Sequence, residues 1–98
     1  MKYVQIIQFE TKKMDEVQKL DKEWEAKTEG KRTVEHVLVC KDRDNPDRYF
    51  VIAEFPSYEA AQKNDALPET QEMAQKQMAL ADGPPTFYNL DVIDEPLG

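Results

Sequence analysis

Cysteine, histidine and tryptophan each occur once in this chain, and glycine only three times in 98 residues. The lone Cys40 has no internal disulfide partner, which fits a reducing compartment. One His and one Cys do not make up the usual ligand sets of zinc or non-haem iron, and no acidic run has the spacing of a calcium loop. There is no glycine-rich phosphate loop and no nucleophile motif. No apolar run approaches the length that crosses a bilayer, and the N-terminus passes directly into a strand pattern rather than a signal-peptide pattern. These absences predict a cytoplasmic protein without a metal and with no bound cofactor.

Cations are also in deficit. Thirteen Lys and Arg stand against 20 Asp and Glu, a formal net charge of −7. A surface of that sign repels phosphate backbones and anionic membrane, so neither nucleic acid nor a membrane surface is an expected partner. With 34% charged residues the chain reads as solvated and folded, and its length suits one domain, 1–98, with one core. No repeat, low-complexity tract or linker interrupts it.

What is present is organised around two apolar runs, 33–41 and 48–55, on either side of Asp42-Arg43-Asp44-Asn45-Pro46-Asp47. Both are rich in Val, Ile, Tyr and Phe, and Asn-Pro-Asp is turn chemistry, so the pair reads as a β-hairpin. Strand side chains alternate, so Tyr49, Val51, Ala53 and Phe55 share one face while Phe50 and Ile52 share the other. Ahead of the hairpin, 3–9 alternates in the same way, with Tyr3, Gln5, Ile7 and Phe9 opposed to Val4 and Ile6. Met14, Val17, Leu20 and Trp24 then recur at helical intervals, and Gly30 is the natural stop. Asp15 with Lys19 and Glu23 with Lys27 are acid-before-base pairs on the wet side of that helix, each adding about 0.3 kcal/mol.

Beyond the hairpin, Ser57 is a suitable N-cap for a helix opening at Tyr58. Pro68 suits the first turn of a helix but not its interior, which predicts a break near 65–67 and a fresh helix over 69–81. Asp82-Gly83-Pro84-Pro85 ends that helix, and 86–93 alternates again, with Tyr88, Leu90 and Val92 opposed to Phe87, Asn89, Asp91 and Ile93. The order is β-α-β-β-α-β. It predicts an α+β, ferredoxin-like fold: a four-stranded antiparallel sheet with helices on one face. Helices on one side leave Val4, Ile6, Phe50, Ile52, Tyr88, Leu90 and Val92 on the other. Four such side chains left in water forgo about 6–12 kcal/mol gross, against a folded-domain stability of about 5–15 kcal/mol. The simplest cover is the same face of a second copy, so a two-fold homodimer with sheets back to back is expected.

The chain resembles the antibiotic biosynthesis monooxygenase-like domains of the dimeric α+β barrel superfamily over nearly its whole length. The likeness rests on the element order and on four stretches: Trp24-Glu25-Ala26-Lys27-Thr28-Glu29-Gly30, the hairpin turn 42–49, Phe55-Pro56-Ser57-Tyr58-Glu59-Ala60-Ala61, and Asn64-Asp65-Ala66-Leu67-Pro68-Glu69-Thr70. The resemblance implies a cavity between the helices and the sheet of one subunit. It also implies a cofactor-independent oxygenase acting on a small aromatic or polyketide-like molecule. The haem-degrading relatives of that fold rely on an Asn, a Trp and a His at positions that hold Ile7, Phe55 and Gln71 here, so haem chemistry is not carried over.

Within such a cavity His36 and Asn64 are the candidate catalytic residues. A neutral imidazole is suited to taking a proton from a phenol, and an amide at a helix end is placed to reach a ligand. The plain alternatives are a satisfied core, interface or strand-end histidine and a helix C-cap asparagine. His36 alternates with Val34, Leu38 and Cys40, a pattern that does not by itself choose a face of the sheet. Gln5, Trp24, Tyr49 and Phe55 are the candidate substrate-binding residues, the aromatics as a clasp for a planar ring and Gln5 as an amide on a buried face. Aromatics at these spacings also serve as plain core. Two further functions compete with an oxygenase. One is a non-enzymatic homodimer that binds a small hydrophobic ligand in the same cavity. The other is an RNA-recognition module, whose aromatic third strand 48–55 faintly echoes but whose glycine and positive charge are missing.

Overall fold

The computed structural model describes residues 1–98, and in it the alternating runs become four strands and the periodic runs three helices. In chain order these are β1 (Tyr3–Glu10), α1 (Met14–Lys27), β2 (His36–Lys41), β3 (Arg48–Phe55), α2 (Tyr58–Asp65), α3 (Pro68–Leu80) and β4 (Thr86–Asp91). The sheet is antiparallel with order β2-β3-β1-β4, the ferredoxin-like α+β arrangement. β1 lies at its centre, Tyr3 opposite Phe55 on one side and opposite Asp91 on the other. No helix is long and apolar enough to cross a membrane.

Local chemistry sets the element ends. Asp44 donates its backbone N–H to Asp42 Oδ1 at 2.8 Å and Asp47 donates to Asn45 Oδ1 at 3.1 Å, so side-chain turns close the β2–β3 hairpin. Ser57 Oγ accepts from the Ala60 N–H at 3.0 Å and caps α2. Pro68 opens α3, where its missing N–H costs no helical bond. Gly30, at φ +80°, reverses the chain after α1. Thr11 is 1% exposed: its hydroxyl donates to the Leu80 carbonyl at 2.7 Å and its N–H to the Asp47 carbonyl at 2.9 Å. One buried threonine thus ties the β1–α1 turn to the end of α3 and to the hairpin.

Three sequence expectations differ from the structure. The second strand begins at His36 rather than at residue 33, because the Thr33 N–H and hydroxyl are taken by Asn64 Oδ1 (3.2 Å) and the Ala60 carbonyl (2.6 Å) on α2. The last strand ends at Asp91 rather than at residue 93, and Ile93 is 91% exposed. On α1 the one ion pair joins Lys22 to Glu25 at 3.4 Å, and neither Asp15 with Lys19 nor Glu23 with Lys27 closes to bonding distance. Long exposed side chains gain little from such contacts in water and lose rotamer freedom by making them.

The register sorts the sheet into two faces. Toward the helices point Tyr3, Gln5, Ile7 and Phe9 of β1 with Ala53 and Val51 of β3, and away from them point Val4, Ile6, Phe50, Ile52, Tyr88 and Leu90. The closed core is small and lies at one end: Tyr3, Ala53, Phe55 and Ala61, with Val34 and Ala60 against them. Tyr3 sits edge-on to Tyr58 at 5.3 Å between ring centroids and tilted to Phe55 at 6.1 Å. Only eight residues of the chain are buried, so much apolar surface at the other end of the sheet stays open.

Candidate functional site

α1 packs chiefly against α3 rather than on the sheet, and the space left beneath it is a hollow of about 490 Å³ between α1 and the β2 edge. Its floor is Val37, Val39 and Val51; α1 contributes Asp21 and Trp24, and the chain leading to β2 contributes Arg32. The Trp24 indole N–H donates to Thr70 Oγ1 at 2.8 Å, which fixes the ring against α3. The Arg32 guanidinium stands 5.9 Å from the Trp24 ring centroid and donates to the Glu25 carbonyl at 2.8 Å. A narrower, largely apolar hollow of about 130 Å³ continues under α3, lined by Ile7, Phe9, Val17, Met78 and Phe87. Asp21 and Val51 border both, so they mark the junction.

Asp21 is the half-buried acid of this region. Gln77 on α3 donates its Nε2 to Asp21 Oδ1 at 2.7 Å and, at 3.3 Å, to the Val17 carbonyl. Burial pushes the Asp21 carboxyl above its ordinary range; the Gln77 hydrogen bond opposes that rise, Glu25 reinforces it and Lys22 opposes it. The sequence expectation of acid-before-base pairs on the wet side of α1 leaves this residue out. The signal was there: 14, 17, 21 and 24 follow helical spacing, which sets a carboxylate on the stripe of Met14, Val17 and Trp24.

Of the six residues nominated from sequence, the structure brings two to the larger hollow. Trp24 forms part of its wall and His36 reaches its rim. His36 pairs across the strands with Glu54, which places its side chain on the open face of the sheet, and its Nδ1 lies 2.9 Å from Glu54 Oε2. The other four border neither hollow. Asn64 is 5% exposed and holds the Thr33 N–H, fastening the chain ahead of β2 to α2. Phe55 is 2% exposed inside the closed core. Gln5 donates to Asn89 Oδ1 at 3.4 Å, an oxygen that also accepts from the Tyr3 hydroxyl. Tyr49 stacks on Phe9 at 5.9 Å and borders a shallow surface depression beside Lys13. No group of three or more His, Cys, Asp or Glu side chains converges anywhere in the chain.

No protein-family model and no curated protein matches the sequence. Solved structures do match the fold. A variant of SnoaB, a cofactor-independent oxygenase from Streptomyces nogalater, superposes with a TM-score of 0.81 at 14% identity, over 97% of this chain and 96% of that one. An antibiotic biosynthesis monooxygenase aligns with a TM-score of 0.76 at 22% identity, over 96% of this chain and 100% of the other. A Mycobacterium tuberculosis protein aligns with a TM-score of 0.80 at 13% identity, over 98% and 99% of the two chains. At these identities the likeness is one of architecture. The chain has the ferredoxin-like α+β fold of the antibiotic biosynthesis monooxygenase-like domains.

Proposed function

We propose that the chain binds a small aromatic or polyketide-like molecule in the hollow beneath α1 and oxygenates it without a cofactor. The observation that carries this reading is the hollow itself: apolar across its floor, walled by a fixed indole, and holding one half-buried carboxylate. The shared architecture with SnoaB supports it at the level of fold. Trp24 is the clasp for a planar ring, and His36 at the rim and Asn64 behind the closed core are the residues whose removal is to be tested. In the reaction a ring methylene loses a proton to a base, the carbanion bonds to dioxygen, and the resulting peroxide anion takes a proton back from the protonated base to give a hydroperoxide. Loss of water then leaves a carbonyl, so the methylene compound and dioxygen become the ketone and water. Dioxygen is the oxidant. The protein holds the ring against an apolar floor and fixes the geometry.

The test is oxygen uptake with anthrone- and quinol-type compounds, its loss in His36→Ala, and its fall in Asn64→Ala only together with stability, since that amide holds the Thr33 N–H. Inertness of the unaltered protein across a broad panel overturns the catalytic reading. Thermal stabilisation by the same compounds without oxygen uptake favours binding alone, because a ligand held only by the folded state raises the unfolding temperature.

We also propose that a second copy covers the open face. Val4, Ile6, Phe50 and Ile52 are half-buried there, and Leu38, Tyr88 and Leu90 are 47%, 43% and 44% exposed. A continuous apolar surface of this kind suits a self-complementary two-fold contact. Sedimentation at micromolar concentration is expected to give a dimer that Ile52→Glu converts to monomer. A stable monomer of the unaltered chain removes the proposal.

A further inference from the structure

We propose that Asp21, braced by Gln77, is the group that accepts the hydroxyl hydrogen of a phenolic or enolic ligand in the hollow, so that it both selects such ligands and draws their proton. This rests on the reading of the hollow as a ligand site. Three observations converge on the residue. The first is position: Asp21 belongs to both hollows, so a planar ligand lying in the larger one with its edge toward the narrower meets the carboxylate. The second is orientation. Gln77 occupies Oδ1 at 2.7 Å, and this is the only side-chain hydrogen bond the protein gives Asp21, which leaves Oδ2 as an acceptor. The third is cost. A carboxylate on an otherwise apolar helix stripe is desolvated for one neutral hydrogen bond, and a ligand hydroxyl is the partner that offsets this.

The surroundings leave this role to Asp21. Its own helix brings Lys22 and Glu25 toward it, and across the hollow stand Arg32, Glu35 and His36. Glu25 and Glu35 are exposed, and His36 is engaged by Glu54. α3 presents Gln77, Ala74 and Met78, and the sheet presents Ile7, Phe9 and Val51, none of them charged. Proton transfer from ligand oxygen to Oδ2 leaves a neutral carboxyl and a ligand oxyanion, and Lys22 and Arg32 supply positive charge on the same hollow. Burial has already raised the proton affinity of the acceptor, in the direction this transfer needs.

The experiment compares 2-naphthol with 2-methoxynaphthalene, which share a ring system and differ in one donor. Trp24 is the sole tryptophan and lines the hollow, so quenching of its fluorescence reports binding of either. The unaltered protein is expected to bind the naphthol about tenfold more tightly, as a hydrogen bond to a charged acceptor implies. Asp21→Asn keeps an oxygen for Gln77 and is expected to lose most of that preference while binding 2-methoxynaphthalene unchanged. In the unaltered protein the preference is expected to fall on acidification, as the carboxylate takes up its own proton; this measurement needs no variant. An equal preference in Asp21→Asn, or a preference constant down to low pH, overturns the role of Asp21 and leaves the hollow as a ligand site. Binding of neither compound at millimolar concentration removes both.

Discussion

The helix-facing side of one sheet is packed in two different ways. At the end where β1 begins and β3 finishes, α2 lies directly on β3, and Tyr3, Phe55 and Ala61 are all less than 5% exposed. Alongside it, at the β2 edge, Val37 and Val39 pair with Ala53 and Val51 yet remain 42% and 43% exposed beneath α1. The difference follows from what each helix turns inward. α2 offers Ala61 over Ala53, small enough for helix and sheet to meet, with Tyr58 filling the margin against Tyr3. α1 offers Trp24 and Asp21, both of which are bonded to α3 rather than to the sheet. Apolar floor is thus left uncovered because its roof is held sideways. A fold that needs a cavity can obtain it from the size and polarity of two or three residues on one helix.

The largest test of that contrast is a pair of truncations. Phe55→Ala at the closed end is expected to cost about 3–5 kcal/mol of unfolding free energy, as removal of a fully buried ring does. Val39→Ala at the open end is expected to cost about 0.5 kcal/mol or less. Urea unfolding with unchanged slope measures both, and comparable losses would mean that the hollow is filled in solution. Enlargement sharpens the comparison from the opposite side. Ala61→Leu has no room and is expected to cost about 1–3 kcal/mol. Val51→Phe, at the junction of the hollows, is expected to cost less than Ala61→Leu and to abolish binding of aromatic probes. Asn64→Ala acts between the two ends, because it leaves the Thr33 N–H without its acceptor. Its expected cost is about 1–3 kcal/mol, with the chain ahead of β2 loosened. Loss of oxygen uptake by Asn64→Ala at unchanged stability would instead make its amide a reacting group.

These contrasts also explain how much could be read in advance. Short runs rich in β-branched and aromatic residues, bounded by turn chemistry, mark the strands, and alternation then groups Tyr3 with Ile7 and Val51 with Phe55. The break before Pro68 and the cap at Ser57 are local chemistry and were equally legible. The site was not. Asn64 and Phe55 have the residue types of a ligand site, yet one is spent on a loop 31 residues distant in sequence and the other on the core, and such pairings are tertiary. His36 shows the same limit: alternation groups it with Leu38 and Cys40, but only the register with Glu54 assigns that group to the open face. Asp21 failed for a different reason. One acid among many on an acidic helix looks like solvated surface, although its helical spacing from Met14, Val17 and Trp24 sets it on the apolar stripe that α3 covers.

The smallest expected effect concerns Asp21 and pH. Its carboxyl is held above the ordinary value of 3.8, chiefly by burial. Between that value and the raised one, the folded chain keeps a proton that the unfolded chain has released, so stability falls as pH rises through the window. Above the window the penalty is complete and constant; below 3.8 both states are protonated and it vanishes. Asp21→Asn has no proton to lose. It is therefore expected to match the unaltered protein in acid and to melt at a slightly higher temperature at neutral pH, the gain kept modest by the solvent that still reaches a half-buried side chain. Melting curves collected across the acid range decide the matter, and a variant no more stable at neutrality than the parent would show that the carboxylate is solvated like the other acids of α1. If the gain appears together with lost preference for hydroxylated ligands, the hollow carries a charge that weakens the fold and serves the ligand, whereas Asn64 and Thr33 beside the closed core are spent on structure.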